Sequence, residues 1–101
     1  MKTVSAIVRT ESLEDIVKAL EDIGIKEMTI ADIKGIGDEV TLYKPYTIHN
    51  RIDIIVPDEK VEAAAGAIIR HGKTGFAGDG VIGVYPMDYA LKIRTGEKET
   101  V

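Results

Sequence analysis

A glycine-rich stretch in the last third of the chain has the composition of an anion-binding loop. It reads Lys73-Thr74-Gly75-Phe76-Ala77-Gly78-Asp79-Gly80. Glycines let the backbone approach a ligand closely, and successive backbone N–H groups can form a concave site for a phosphate. The stretch lies between a predicted helix and a predicted strand, so it lacks the strand-to-helix context of a P-loop or Rossmann turn. From spacing alone, a flexible connector is the more common interpretation.

Two cations follow this stretch at alternating positions. Lys92 and Arg94 are separated by apolar Ile93, so both side chains could point the same way if the segment is extended. Arginine suits bidentate phosphate binding, and lysine acts as a point charge. Together with Lys73 they could neutralise a polyphosphate. The alternative is an edge strand that its charges protect from aggregation.

Other chemistry is poorly represented. Asp53 interrupts an almost entirely apolar predicted strand, where it could hydrogen-bond sugar hydroxyls or simply face water on an edge. His49 and His71 are the only histidines, cysteine is absent, and nothing supplies further metal ligands at a recognisable spacing. No serine has a nucleophile-elbow context, and no pair of catalytic carboxylates stands out. The sequence therefore predicts no catalytic residue, no metal site and no catalytic cofactor.

Length and composition bound the remaining possibilities. A chain of 101 residues is one domain, spanning 1–101, and its small core favours oligomers. The net charge of -4, the absence of Trp and the single Phe argue against a nucleic-acid partner. No signal peptide or membrane-spanning run is recognisable, so we expect a cytoplasmic protein.

Hydrophobic periodicity predicts the elements that position these residues. Strands are predicted at 4–8, 28–34, 51–56 and 81–85. One helix is predicted to begin at Ser12, which forms a capping-box-like pair with Asp15, and to end at Gly24. A second is predicted to start at an Asp58 cap and to end near Gly72.

The two halves of the sequence also look alike. At an offset of about 48 residues Leu13 matches Val61, Leu20 matches Ile68 and Gly24 matches Gly72. Two βαβ units in one small chain predict an α+β, ferredoxin-like βαββαβ fold, an antiparallel sheet with two helices on one face. A C-terminal extended segment is predicted to follow the last strand.

The motifs Thr74–Ile82 and Lys92–Glu97 resemble those of the PII signal-transduction proteins. That family carries TGxxGDGKIF and then RIRTGE. The resemblance extends to Gly24–Thr29, to Lys34–Gly37 and to the opening strand and helix. It covers nearly the whole chain except 38–50.

The resemblance implies a homotrimer with a nucleotide site in each cleft between subunits, where ATP or ADP acts as an effector ligand. It assigns the adenine and ribose side to Ile7, Met28, Thr29, Asp53 and Ile55. It assigns the phosphate side to Gly35, Ile36, Gly37, Lys73, Thr74, Gly78, Asp79 and Gly80. Lys92 and Arg94 would come from the neighbouring subunit. The segment 38–50 would be the T-loop that contacts a target protein, such as a membrane transporter or an enzyme.

Departures from the family pattern modify these expectations. The family's lysine after GDG is Val81, its first tail arginine is Lys92, and its strand glutamate is Asp53. Weaker phosphate binding that favours ADP or AMP over ATP is therefore expected. The T-loop segment is short and lacks clear counterparts of the residues used for 2-oxoglutarate and magnesium, so 2-oxoglutarate sensing and uridylylation are not expected. The alternatives are a PII-like sensor of bicarbonate, a cyclic nucleotide or a metal ion, and a slow nucleotide hydrolase.

Overall fold

The computed structural model describes residues 1–35, 37 and 47–99. Four strands and two helices follow one another along this part of the chain. They are β1 (Lys2–Arg9), α1 (Leu13–Asp22), β2 (Thr29–Gly35), β3 (Thr47–Val56), α2 (Val61–Gly72) and β4 (Gly80–Pro86). Ile36 and most of the T-loop-like segment 38–50 lie outside the described residues.

The strands form one antiparallel sheet in the order β2-β3-β1-β4. Alternate residues of the central strands are buried because one face of the sheet packs against both helices. The core consists mainly of aliphatic side chains from β1, β3 and the two helices, among them Val4, Val8, Ile16, Leu20, Ile52, Ile54 and Ile68. This arrangement is the predicted α+β, ferredoxin-like fold.

Neither α1 nor α2 covers the other face of the sheet. Thr3, Ser5 and Ile7 of β1 lie on it with Arg51, Asp53 and Ile55 of β3, and we call it the open face. Ile55 is 36% exposed, and Val81 and Tyr85 of β4 are more than half exposed. Apolar side chains on an uncovered sheet face are suited to contact with a ligand or another chain.

The internal repeat is visible in the structure. Each helix is preceded by one turn of 3-10 helix, at Thr10–Ser12 and at Asp58–Lys60. Leu13 and Val61, the first residues of the two helices, are partners at the predicted offset. The sequence similarity of the halves therefore corresponds to two copies of one strand-turn-helix unit.

The predicted helix caps are wrong. Ser12 lies at φ -94° and ψ -10° at the end of its 3-10 turn, and its side chain makes no cap hydrogen bond. A capping side chain needs extended backbone. Extended backbone occurs before the 3-10 turn that precedes each helix, at Arg9 and at Pro57. Asp58 lies inside the second turn, where its Oδ1 accepts a hydrogen bond from the amino group of Met1 at 2.6 Å.

The sequence predicts an extended C-terminal segment. In the structure this segment is extended only in part and folds back on itself. The Lys92 N–H donates to the Glu97 carbonyl, and the Glu99 N–H donates to the Ala90 carbonyl. The reversal is completed at Gly96, whose φ of 72° favours glycine. The turn lies between Lys92 and Glu97. The alternation of side chains along an extended strand therefore does not apply to Lys92 and Arg94, and it gives no reason for them to point the same way.

Among the described helices, none combines the length and hydrophobicity needed to cross a bilayer.

Candidate functional site

A groove of about 1130 Å³ runs over the open face of the sheet. Its floor is formed by β1 and β3, and its walls include the connection from α1 to β2 and the end of β4. The groove brings together the five residues that the resemblance assigned to adenine and ribose, Ile7, Met28, Thr29, Asp53 and Ile55.

Strand register explains this convergence. Asp53 of β3 is paired with Ser5 of β1 on one side and with Thr29 of β2 on the other. Two residues away along β3, Arg51 is paired with Ile7, and Ile7 is paired in turn with Val81 of β4. Because side chains alternate between faces, these rows lie on the same side of the sheet.

An ion pair lies in the floor of the groove. Arg51 Nε donates to Asp53 Oδ2 at 3.0 Å, and the two side chains are 47% and 29% exposed. Sequence reasoning singled out Asp53 and missed Arg51. The signal was present, because residues two apart in a strand share a face.

The glycine-rich loop is organised by its own carboxylate. Asp79 Oδ2 accepts hydrogen bonds from the N–H groups of Thr74, at 2.8 Å, and Gly75, at 2.9 Å. Asp79 Oδ1 accepts from the Thr74 hydroxyl and, at 3.0 Å, from Arg9 Nε. The Phe76 N–H donates to Thr74 Oγ1 at 3.2 Å. The glycine-rich loop is thus a closed turn with internal hydrogen bonds.

These contacts stabilise the charged form of Asp79. The hydrogen bond from the Thr74 hydroxyl does most to hold the pKa of the Asp79 carboxyl well below its ordinary value. The Thr74 and Gly75 N–H groups and the Arg9 guanidinium lower the pKa further, while desolvation opposes them. Asp79 is therefore an anion that already occupies two of the loop's N–H donors.

His49 contacts the glycine-rich loop from strand β3. Its side chain is buried, and its Nε2 lies 3.1 Å from the Gly78 carbonyl oxygen. A carbonyl can only accept, so Nε2 is the donor in this contact. His49 Nδ1 is buried and has no hydrogen-bond partner among the described residues. Neither His49 nor Arg9 was predicted to support the loop, because nothing in their spacing connects them with residues 74–79.

Gly80 is required by its contact with β1. A Cβ on this residue would lie 1.8 Å from the Ile7 carbonyl oxygen, and its φ of 109° is one that other residues rarely adopt. Ile7 therefore belongs to both parts of the predicted site. Its side chain lines the groove, and its carbonyl lies against the end of the glycine-rich loop.

The remaining predicted residues are not part of the groove within one chain. Gly35 ends β2, where it pairs with Thr47 at the loop end of the sheet. Gly37 is exposed with a φ of 143°. Lys73, Lys92 and Arg94 are exposed and do not line the groove. In the described ranges, no group of three histidine or acidic side chains is placed to hold a metal ion.

Comparison with known proteins agrees with these observations. The family model for nitrogen regulatory protein P-II matches residues 1–97. The nitrogen regulatory protein P-II of Haemophilus influenzae is 36% identical over 107 aligned positions, which cover 97% of this chain and 96% of that protein. Nitrogen regulatory protein P-II 1 of Escherichia coli K12 and that of Salmonella typhimurium are each 35% identical, with 98% of this chain and 96% of the relative covered.

The alignments also show that this chain is the shorter partner. They extend over 107 or 108 positions, whereas this chain has 101 residues, so the relatives have positions that it lacks. The family match, the identities and the fold lead to one conclusion: the chain belongs to the nitrogen regulatory protein P-II family.

Proposed function

We propose that the protein is a trimeric signalling protein that binds an adenine nucleotide in clefts between subunits and regulates a target protein through segment 38–50. The observation that carries this proposal is the double role of Ile7. Its side chain lines the groove, and its carbonyl lies against Gly80, so the groove and the glycine-rich loop are parts of one continuous surface.

The chemistry of the groove suits a nucleoside. Ile7, Met28 and Ile55 offer apolar surface for an adenine ring. The Asp53 carboxylate accepts hydrogen bonds and lies in the same groove, where it can bind ribose hydroxyls. A nucleoside bound in this way would extend its phosphate along β1 toward Gly80.

The groove is open to solvent, and a second copy would close it. The exposed apolar residues Val81 and Tyr85 lie on the same face, which supports contact between copies. In such a trimer, Lys92 and Arg94 would reach the phosphates from the neighbouring subunit. This arrangement accounts for two exposed cations that do not line the groove of their own chain.

Regulation would follow from the position of the loop. Gly35, the last residue of β2, pairs with Thr47, where the end of segment 38–50 enters β3, and His49 of β3 contacts Gly78 of the glycine-rich loop. A ligand that favours one arrangement of the glycine-rich loop would shift the relative populations of the conformations of segment 38–50. The affinity for a target would change with those populations. The nucleotide is then an effector, and the protein acts as a regulator in the cytoplasm without catalysing a reaction.

Isothermal titration calorimetry with ATP, ADP, AMP and cyclic AMP tests the proposal, together with light scattering for the trimer. We expect one site per subunit and tighter binding of ADP or AMP than of ATP. The Asp53→Ala variant should bind ADP about tenfold more weakly, and it should lose less affinity for 2′,3′-dideoxy-ADP, which lacks the ribose hydroxyls. If no adenine nucleotide binds at high micromolar concentration, the proposal is wrong.

Two observations favour a second candidate, a sensor of a ligand with fewer phosphates or none. Val81, in register with Ile7, is apolar and 55% exposed, and Asp79 occupies the N–H groups of Thr74 and Gly75. Bicarbonate, cyclic AMP and divalent metal ions therefore belong in a thermal-shift screen. A ligand that binds only the folded state raises the melting temperature, so the largest shift identifies the preferred ligand.

A further inference from the structure

The glycine-rich loop has less capacity for an anion than its sequence indicates. The N–H groups of Thr74 and Gly75 donate to Asp79, and the N–H of Phe76 donates to the Thr74 hydroxyl oxygen. Three consecutive donors of the loop are therefore satisfied internally. A phosphate at this loop would compete with the Asp79 carboxylate, so part of its charge must be matched elsewhere on the open face.

Three cations line the groove, and they differ in how firmly they are held. Lys26 is an exposed residue between α1 and β2. Lys60 Nζ lies 3.4 Å from the Ile23 carbonyl, which it helps to satisfy at the end of α1. Arg51 belongs to β3, which is hydrogen-bonded to β1 on one side and to β2 on the other. Of these three, Arg51 is on the most rigid element, which suits a binding residue.

The Arg51 guanidinium is both oriented and accessible. Its Nε is the donor to Asp53 Oδ2, so the two terminal nitrogens are not the donors in that ion pair. The side chain remains 47% exposed. Terminal guanidinium nitrogens bind phosphate oxygens in a bidentate manner, and an orienting carboxylate lowers the entropy that such binding costs.

The position of Arg51 matches the length of a nucleotide. Its row, with Ile7 and Val81, lies between the row of Asp53 and Gly80, which pairs with Val8. Two residues along a strand span about 6.6 Å, comparable to the distance from ribose hydroxyls to the first phosphate. A nucleotide with its ribose at Asp53 thus carries its first phosphate to the row of Arg51.

The geometry points to Arg51 as the specificity-determining cation for the first phosphate of the nucleotide, held in orientation by Asp53. The inference rests on the proposed function and names a residue of the same groove. The open face would then recognise the nucleoside and its first phosphate. Binding of the second and third phosphates would depend on other groups.

The test compares adenosine, AMP and ADP on the unsubstituted protein, Arg51→Ala, Arg51→Lys and Lys18→Ala. AMP and ADP are titrated by calorimetry, and adenosine is ranked by displacement of bound ADP. Arg51→Ala should weaken AMP and ADP about tenfold and adenosine less than twofold. Arg51→Lys should restore part of the loss. Lys18→Ala, which removes one exposed charge from α1, should change none of the affinities.

Two outcomes would contradict the inference, and they are distinguishable. If the unsubstituted protein binds no adenine nucleotide, the proposed function fails and Arg51 loses its role with it. If the unsubstituted protein binds AMP and Arg51→Ala keeps the same ratio of AMP to adenosine affinity, only the Arg51 inference fails. An unchanged ratio with equal losses for all three ligands would indicate damage to the groove.

Discussion

Arg9 Nε donates to Asp79 Oδ1 at 3.0 Å and thereby joins the end of β1 to the loop that precedes β4. Arg9 Nη2 also donates to the Ala77 carbonyl at 2.9 Å. The Asp79 carboxylate in turn accepts from Thr74 and Gly75. One ion pair thus connects β1 with the glycine-rich loop, which is closed by its own hydrogen bonds. The shape of the loop therefore depends on the Asp79 carboxylate as well as on its glycines.

Removing this carboxylate should destabilise the protein. In Asp79→Ala, the N–H groups of Thr74 and Gly75 and the Arg9 guanidinium lose their shared acceptor. Hydrogen bonds to a charged group contribute about 1.5–3 kcal/mol, so we expect a loss of about 1–3 kcal/mol in the free energy of unfolding, measured with urea. Asp88→Ala, which removes an exposed carboxylate after β4, is the matched control and should change stability by less than about 0.5 kcal/mol. Equal stability of the two variants would contradict the role assigned to Asp79.

The contribution of Asp79 should depend on pH in a defined direction. Its pKa is lower in the folded protein than the ordinary value of 3.8, so the unfolded chain binds the proton first as the pH falls. The stabilisation is therefore fully present at neutral pH and is lost progressively once the pH falls below about 4. The difference in unfolding free energy between the unsubstituted protein and Asp79→Asn should be constant from pH 7 to pH 5 and shrink below that point. A difference that stays constant into strong acid would show that the charge of Asp79 is not what stabilises the loop.

Gly80 should tolerate no side chain. In Gly80→Ala the new methyl group would lie 1.8 Å from the Ile7 carbonyl oxygen, and the backbone would keep an unfavourable φ. Strain and overpacking together predict a loss of about 2–5 kcal/mol in unfolding free energy. Gly75 also has a positive φ, of 92°, but its Cβ would meet no atom within 4 Å, so Gly75→Ala should cost only about 1–2 kcal/mol. If the two variants are equally stable, the close approach of β1 to Gly80 is not limiting.

Much of the fold could be predicted because its strands follow a simple alternation. The pattern located β1 and β4 to within two residues at each end. It placed the start of β3 four residues too late, because the polar pair His49–Asn50 looks like loop sequence. In the structure both side chains are buried, and Asn50 Nδ2 donates to Asp32 Oδ1 at 2.7 Å.

The candidate site was harder to predict, because its contacts join distant positions. The resemblance assigned Asp79 to the phosphate side but did not indicate that its oxygens accept hydrogen bonds from Arg9 and from the loop itself. Spacing cannot show that residues 70 positions apart form an ion pair. Arg51 is different, since its partnership with Asp53 follows from strand alternation and could have been inferred.

His49 should stabilise the loop through its contact with the Gly78 carbonyl. His49→Leu would leave that buried acceptor unpaired, which is expected to cost about 1–3 kcal/mol of unfolding free energy. The chain provides a matched control in His71, which is exposed near the end of α2. His71→Leu should lie within about 0.5 kcal/mol of the unsubstituted protein. Equal effects of the two substitutions would mean that the His49 contact contributes nothing specific.

Mixed trimers test whether each nucleotide site is shared between copies. Lys92 and Arg94 are exposed on a turn and do not line the groove of their own chain, so the proposed site needs them from a neighbour. The Lys92→Ala/Arg94→Ala variant keeps an intact groove, whereas Ile55→Glu places a charge where the base is proposed to lie. Each variant alone should bind ADP weakly.

Refolding the two variants together at equal concentrations should restore binding at about one site in four. A site is intact only when its groove comes from the first variant and its cations come from the second, and random assembly in a closed ring makes that combination at this frequency. The number of restored sites is read from the stoichiometry of an ADP titration, with each variant refolded alone as its control. Restoration requires two chains because neither variant contains a complete set of residues. If native mass spectrometry shows mixed trimers but no tight sites reappear, Lys92 and Arg94 act within their own chain or not at all.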